Sequence, residues 1–279
     1  MTRLVLHPRG ALAANARPAS APTASAPAAS AGTATVPLVL IHGFPVDHRM
    51  WEPVAELLAD LPVLLVDLPG AGESPVAEPT IAAAARALLD SLAAAGSERA
   101  VLAGMSMGGY VALAAWRARP SALAGLGLVD TRANADNPAT RVQRHAVARR
   151  VLSEGTPDAV APMAEALVSA ATRTERPELV DRIRGWIAQS VPAGIAWAEA
   201  AMAGRPDATP WLGSVGVPSA VIVGEDDSQS PPAVARAMAA ALPDAELTQV
   251  PRAGHMSAVE EPVAVAGALR ALHARATAR

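Results

Sequence analysis

Gly104-Met105-Ser106-Met107-Gly108-Gly109 stands between an apolar run, Arg99 to Ala103, and an alanine-rich stretch, Tyr110 to Ala118. The first reads as a buried strand and the second as a helix. A serine on the tight turn between them projects its hydroxyl clear of the sheet. Gly104 and Gly108, two residues to either side, let the two backbones pack that closely. The same pattern also fits a plain glycine-rich turn with a capping serine, so its meaning depends on the rest of the chain.

A serine nucleophile needs a base to take its proton and an acid to orient that base. Val221-Ile222-Val223-Gly224-Glu225-Asp226-Asp227 is a buried-strand pattern ending in carboxylates, which puts an acid at the carboxyl edge of a parallel sheet, where active sites gather. Ala245 to Val250 reads as a further strand, and Pro251-Arg252-Ala253-Gly254-His255-Met256 sets a histidine in the loop behind it. Ser106, Asp227 and His255 thus appear in the chain order serine, acid, histidine.

These segments, with Leu40-Ile41-His42-Gly43-Phe44-Pro45 and Asp67-Leu68-Pro69-Gly70-Ala71-Gly72-Glu73-Ser74, run from about Val36 to the C-terminus. Together they resemble the α/β-hydrolase superfamily, in particular small esterases and lactonases of the 3-oxoadipate enol-lactonase and pimeloyl-carrier-protein methyl esterase type. The resemblance implies an α/β fold: a mostly parallel, doubly wound sheet with a helical cap. It implies a Ser106-His255-Asp227 triad and an oxyanion hole built from the backbone amides of Phe44 and Met107, the latter at a helix start that favours negative charge. The implied reaction is hydrolysis of a small carboxylic ester or lactone through an acyl-enzyme, with no cofactor. The same scaffold supports perhydrolysis, carbon–carbon bond hydrolysis and elimination, and a receptor without turnover would keep the pocket. Dehalogenases and epoxide hydrolases of this fold carry aspartate at the position of Ser106, which argues against both.

The acid has rivals. Glu225, Asp226 and Asp227 are adjacent, and Asp130 ends another strand pattern, Leu126 to Val129. The family pattern, three residues past Gly224 and shortly before Ser230-Pro231, selects Asp227 and leaves Asp130 as runner-up. His42 reads as a histidine bonded within its own loop rather than as the base.

Strand patterns at Leu38–Ile41, Val63–Val66, Ala100–Ala103, Leu126–Val129, Ala220–Val223 and Glu246–Val250 alternate with helical ones at Thr80–Ala95, Met107–Ala118, Pro232–Leu242 and Val259–Ala276. Between Asp130 and Pro218 only helical stretches appear, near Ala139–Leu152, Pro157–Ala171, Pro177–Gln189 and Ile195–Ala203. The expected division is a flexible Ala/Pro-rich extension over 1–35, a hydrolase core over 36–130 and 218–279, and a cap over 131–217. Relatives usually carry a hairpin ahead of the position of Val36; here only Leu4-Val5-Leu6 suggests a strand. Within the cap region, Arg132, Met163, Trp186 and Trp197 are the candidate substrate contacts, with Met202 and Trp211 as further large groups. Arg141, Arg144, Arg149 and Arg150 read as a solvated helix face.

The 279 residues contain no cysteine and no lysine, which excludes disulfides, thiol catalysis and lysine Schiff bases. A formal charge of −3 offers no field for nucleic acid or an anionic membrane. The glycines of the Asp67 loop match no nucleotide-binding spacing. His7, His48, His145 and His273 show no pairing with acids that suggests a metal. The acid-poor start, with Arg3, Arg9 and Arg17, fits a targeting segment less well than a flexible extension of a cytoplasmic protein. The sequence is silent on oligomeric state.

Overall fold

A computed structural model describes residues 2–15 and 35–278. Seven strands form one sheet: β1 (Leu6–Gly10), β2 (Leu38–Ile41), β3 (Pro62–Val66), β4 (Ala100–Met105), β5 (Leu123–Val129), β6 (Ser219–Gly224) and β7 (Ala245–Val250), in the order β1-β3-β2-β4-β5-β6-β7. Only β1 runs antiparallel to its neighbour. The four central strands β2, β4, β5 and β6 are buried along their whole length, which is why they read as unbroken apolar runs. The edge strands β1 and β7 carry Arg9, Glu246 and Gln249 instead, and charged edges discourage pairing with another chain.

The helices are α1 (Ala11–Asn15), α2 (Glu52–Leu57), α3 (Ile81–Ala94), α4 (Met107–Ala118), α5 (Pro138–Glu154), α6 (Met163–Ala166), α7 (Ala170–Glu175), α8 (Pro177–Ala188), α9 (Pro192–Ala203), α10 (Pro232–Ala241), α11 (Ser257–Glu260) and α12 (Pro262–Thr277). Helices α5 to α9 form an insertion between β5 and β6. No helix among the described residues is long and apolar enough to cross a membrane.

Several expectations need correction. The extension assigned to residues 1–35 begins too early: β1 pairs with β3, Leu6 opposite Val66 and Gly10 opposite Pro62, and Leu4 is buried in the core. An edge strand gains its ladder from one neighbour and tolerates Pro8, so it carries little pattern of its own. Residues 16–34 of that extension lie outside the described residues. The helix read over Pro157–Ala171 is broken into a short turn at Asp158–Val160, α6 and α7, because Pro162 interrupts it and Ser169 caps a fresh start by accepting from the Thr172 amide. Pro262 likewise divides the last helix into α11 and α12, with Glu261 held out of the helical region before it, at φ −135° and ψ 62°.

Candidate active site

Ser106 sits between β4 and α4 with φ 50° and ψ −112°, a conformation that side chains seldom adopt. Its amide donates to the Val129 carbonyl, and the Thr131 hydroxyl donates to the Ser106 carbonyl at 2.7 Å. A Cβ on Gly104 would strike the Gly108 carbonyl, and one on Gly108 would strike the carbonyl of Ile41 in β2. Both glycines therefore fill a steric requirement of the turn, as the spacing implies.

Three side chains from distant parts of the chain meet here. Ser106 Oγ lies 2.9 Å from His255 Nε2, and His255 Nδ1 lies 2.8 Å from Asp227 Oδ2. His255 and Asp227 are buried, while Ser106 remains partly open. Asp227 is held in turn by the amides of Gln229 and Ser230, which donate to its Oδ1 at 2.7 and 2.8 Å. Its neighbours Glu225 and Asp226 face solvent.

Asp130 does not reach His255. Its Oδ1 accepts from the Gly224 amide at 2.8 Å, and its Oδ2 lies 2.5 Å from Ser257 Oγ and 3.1 Å from the Ser257 amide. Asp130 thereby ties β5 to β6 and to the histidine loop. Glu260, which the sequence reading passed over, has a matching task. It accepts from the Gly254 amide on one oxygen, and from the Ser169 amide and Thr172 hydroxyl on the other. Its position five residues past His255, just before a proline-initiated helix, was the available signal.

The amide of Met107 opens α4 and has no acceptor inside that helix. Phe44 precedes a cis Phe44-Pro45 bond. His42 keeps one bond within its own loop, as read, Nδ1 donating to the Gly43 carbonyl at 2.8 Å, but its Nε2 accepts from the Leu68 amide at 2.9 Å and so ties that loop to the Asp67 loop. Burial holds this imidazole below its usual pKa, so it stays neutral.

Ser106 and His255 open onto a cavity of about 320 Å³ lined also by Phe44, Arg132, Met163 and Met202. A second cavity of about 320 Å³, holding Met107 and Ala71, meets it at Phe44. Two candidate contacts are absent from the Ser106 cavity. Trp197 is buried with its indole donating to the Glu78 carbonyl at 2.9 Å, pinning α9 to the loop before α3, and Trp186 packs against the core from α8. Trp211 lines a different, smaller cavity. Arg144 is no solvated side chain: it pairs with Asp136 at 2.5 Å and Glu199 at 2.8 Å.

His7, His48 and Asp67 also converge, with their ligand-type atoms within 4.8 Å of one another, a pairing the sequence did not reveal. The two imidazoles stack at 3.7 Å with planes 20° apart, so their in-plane nitrogens cannot both aim at one ion. Each meets a different oxygen of Asp67 at 2.8 Å, and the His48 and Glu73 amides complete the carboxylate's bonding. The arrangement suits a clamped carboxylate better than a metal centre.

Residues 36–262 match the model of the alpha/beta hydrolase fold family. A 112-residue stretch, 40% of this chain, is 39% identical to the biotin biosynthesis bifunctional protein BioHC of Cellvibrio japonicus, and spans only 21% of that protein's length. A thermophilic esterase from Thermogutta terrifontis, solved with malate bound, superposes with a TM-score of 0.86 at 35% identity, covering 98% of this chain and 93% of that one. An enol-lactonase from Burkholderia xenovorans gives 0.81 at 25% identity, over 96% and 95%.

Proposed function

The chain belongs to the alpha/beta hydrolase fold family, and from that premise we propose that it is a serine hydrolase cleaving a small carboxylic ester or lactone. The observation that carries this reading is the continuous contact from Ser106 Oγ through His255 to Asp227, at 2.9 and 2.8 Å, opening onto a cavity. As Ser106 Oγ attacks the carbonyl carbon, its proton passes to His255 Nε2, and Asp227 stabilises the imidazolium while fixing its orientation. The carbonyl electron pair moves to oxygen and is met by the amides of Phe44 and Met107. Collapse breaks the ester bond, and the departing alkoxide takes the proton back from His255. Water, activated by the same nitrogen, then releases the acid and restores Ser106.

Arg132 and Met163 serve as substrate contacts within this cavity. The malate seen on the Thermogutta esterase is a dicarboxylate, the chemistry a guanidinium fork recognises. The helical insertion acts as a cap that excludes water from the acyl-enzyme. The first test is reaction with a fluorophosphonate read by intact mass, alongside hydrolysis of short p-nitrophenyl esters. Labelling at Ser106 with turnover is the expected result, and an unlabelled protein without turnover would reject the reading in favour of a receptor.

A further inference from the structure

A smaller cavity of about 170 Å³ lies between α3, the outer half of α4 and the segment that follows α9. It contains neither Ser106 nor His255, although Tyr110 and Arg132 belong to the walls of both cavities. Its apolar sides come from Ile81, Leu113 and Trp211, and its cationic groups are Arg117, Arg132 and Arg205. No aspartate or glutamate lines it.

The charge on this wall is incompletely answered. Arg205 is 96% buried, lies over the Tyr110 ring at 4.1 Å and pairs with Asp136 at 2.8 Å, while Arg132 donates only to the Gln229 carbonyl. No carboxylate pairs with Arg117 or Arg132 among the described residues. Four buried side-chain polar atoms of the described residues lack a hydrogen-bond partner, and two of them are Nε of Arg132 and Nε of Arg205. Buried donors left unmade are costly, and a guanidinium beside apolar walls attracts an anion strongly because little water screens it.

We propose that this cavity binds a small apolar monocarboxylate of about the size of benzoate, ring against Ile81, Leu113 and Trp211 and carboxylate on the arginines. The volume is below the roughly 300 Å³ at which drug-sized ligands begin, which selects a fragment-sized occupant. The apolar walls exclude a polyanion such as phosphate, whose hydration they could not replace. The site stands whether or not Ser106 is a nucleophile.

The test uses 4-bromobenzoate, titrated calorimetrically into the full chain and soaked into its crystals, with bromine located by anomalous scattering. A bromine peak among Ile81, Leu113 and Trp211 is expected, with saturable binding in solution. Neutral 4-bromobenzamide should bind on the order of tenfold more weakly, since the charge-assisted bonds are lost. Ala114→Leu, which fills the cavity from α4, should abolish binding at this site, and Arg117→Gln should weaken it. A peak beside Ser106 only, a peak in crystals without saturable binding in solution, or equal affinity for the amide would overturn the proposal. The amide comparison decides it on the wild-type chain even if Ala114→Leu fails to fold.

Discussion

Burial, and after it the charge of Asp227, holds the carboxyl of Asp130 well above the ordinary carboxylate range, while Asp227 alone of the two reaches His255. A carboxyl raised in this way contributes stability that is fully present below its unfolded value of about 3.9 and is lost as pH rises through the folded value. Asp130→Asn imitates the protonated form. Its unfolding free energy should therefore fall less than that of the wild type as pH rises above that point, with kcat changed by less than about tenfold because the residue acts through the loop. Asp227→Asn should instead lower kcat by roughly three to four orders of magnitude, as loss of the orienting acid does in other triads. Urea unfolding across pH, with steady-state kinetics, separates the two. A larger kinetic loss in the Asp130 variant would transfer the role.

Ser106 is held at φ 50°, so its backbone carries a cost that only the surrounding turn sustains. Ser106→Gly should relieve that cost and raise the unfolding free energy by about 1 kcal/mol, after allowance for the greater freedom of glycine in the unfolded chain. Turnover should vanish in the same protein. Ser106→Ala should lose turnover without the gain, because alanine keeps a Cβ. Denaturant titration of the three proteins decides the matter, and a destabilised glycine variant would show that the turn is not strained.

The sheet was legible because its central strands are buried on both faces and so are apolar throughout, as in Leu38–Ile41 and Ala220–Val223. Ser106, His255 and Asp227 were legible because the geometry of each depends on local markers, the two glycines of the elbow and the loops closing β6 and β7. What failed was non-local. Leu6–Gly10 becomes a strand only because β3 offers it an edge. Arg144 shares a helix with Arg141, Arg149 and Arg150, yet it alone meets Glu199 of α9, a partner 55 residues away that no helical periodicity announces. Trp186 and Trp197 were large and in the right segment, but which face of a helix turns toward a cavity depends on how the insertion packs.

Asp67 is the counterpart of Asp130, a buried acid kept charged. Burial alone would raise its pKa, but the hydrogen bonds from the His48 side chain and amide and from the His7 side chain offset this and hold it well below the ordinary range. Its contribution is thus present above about pH 3.9 and lost as pH falls through the lower folded value. Asp67→Asn should cost about 3 kcal/mol near neutrality, a gap that narrows in acid below that point. His48 has the opposite sign. Burial lowers its pKa, the bond to Asp67 together with the charges of Asp67, Asp47 and Glu52 outweighs burial, and the stability it adds is complete below about 6.5 and lost as pH rises through its raised value. His48→Gln should therefore differ most from the wild type on the acid side of neutrality. Thermal unfolding of both variants across pH checks the two signs, and a pH-independent gap for Asp67→Asn would refute the clamp.

Arg144 carries the contact between α5, α9 and the loop after β5, pairing with Asp136 and Glu199, while Asp136 also holds Arg205. Glu199 is buried, and burial already lifts its pKa against the pull of Arg144. Arg144→Met leaves Asp136 with a partner but strands Glu199 in the wall of the Ser106 cavity, at a cost of about 3 kcal/mol. Glu199→Leu in the same protein should return most of that stability, because an apolar pair avoids the desolvation that the charged pair must offset. A double-mutant cycle by urea unfolding measures the coupling, which should exceed about 1 kcal/mol. The Ser106 cavity adds a kinetic signature: the single variant should raise KM more than it lowers kcat, since it loosens the wall of that cavity without touching His255. A coupling indistinguishable from zero would return Arg144 to the solvated face that its sequence neighbours suggest.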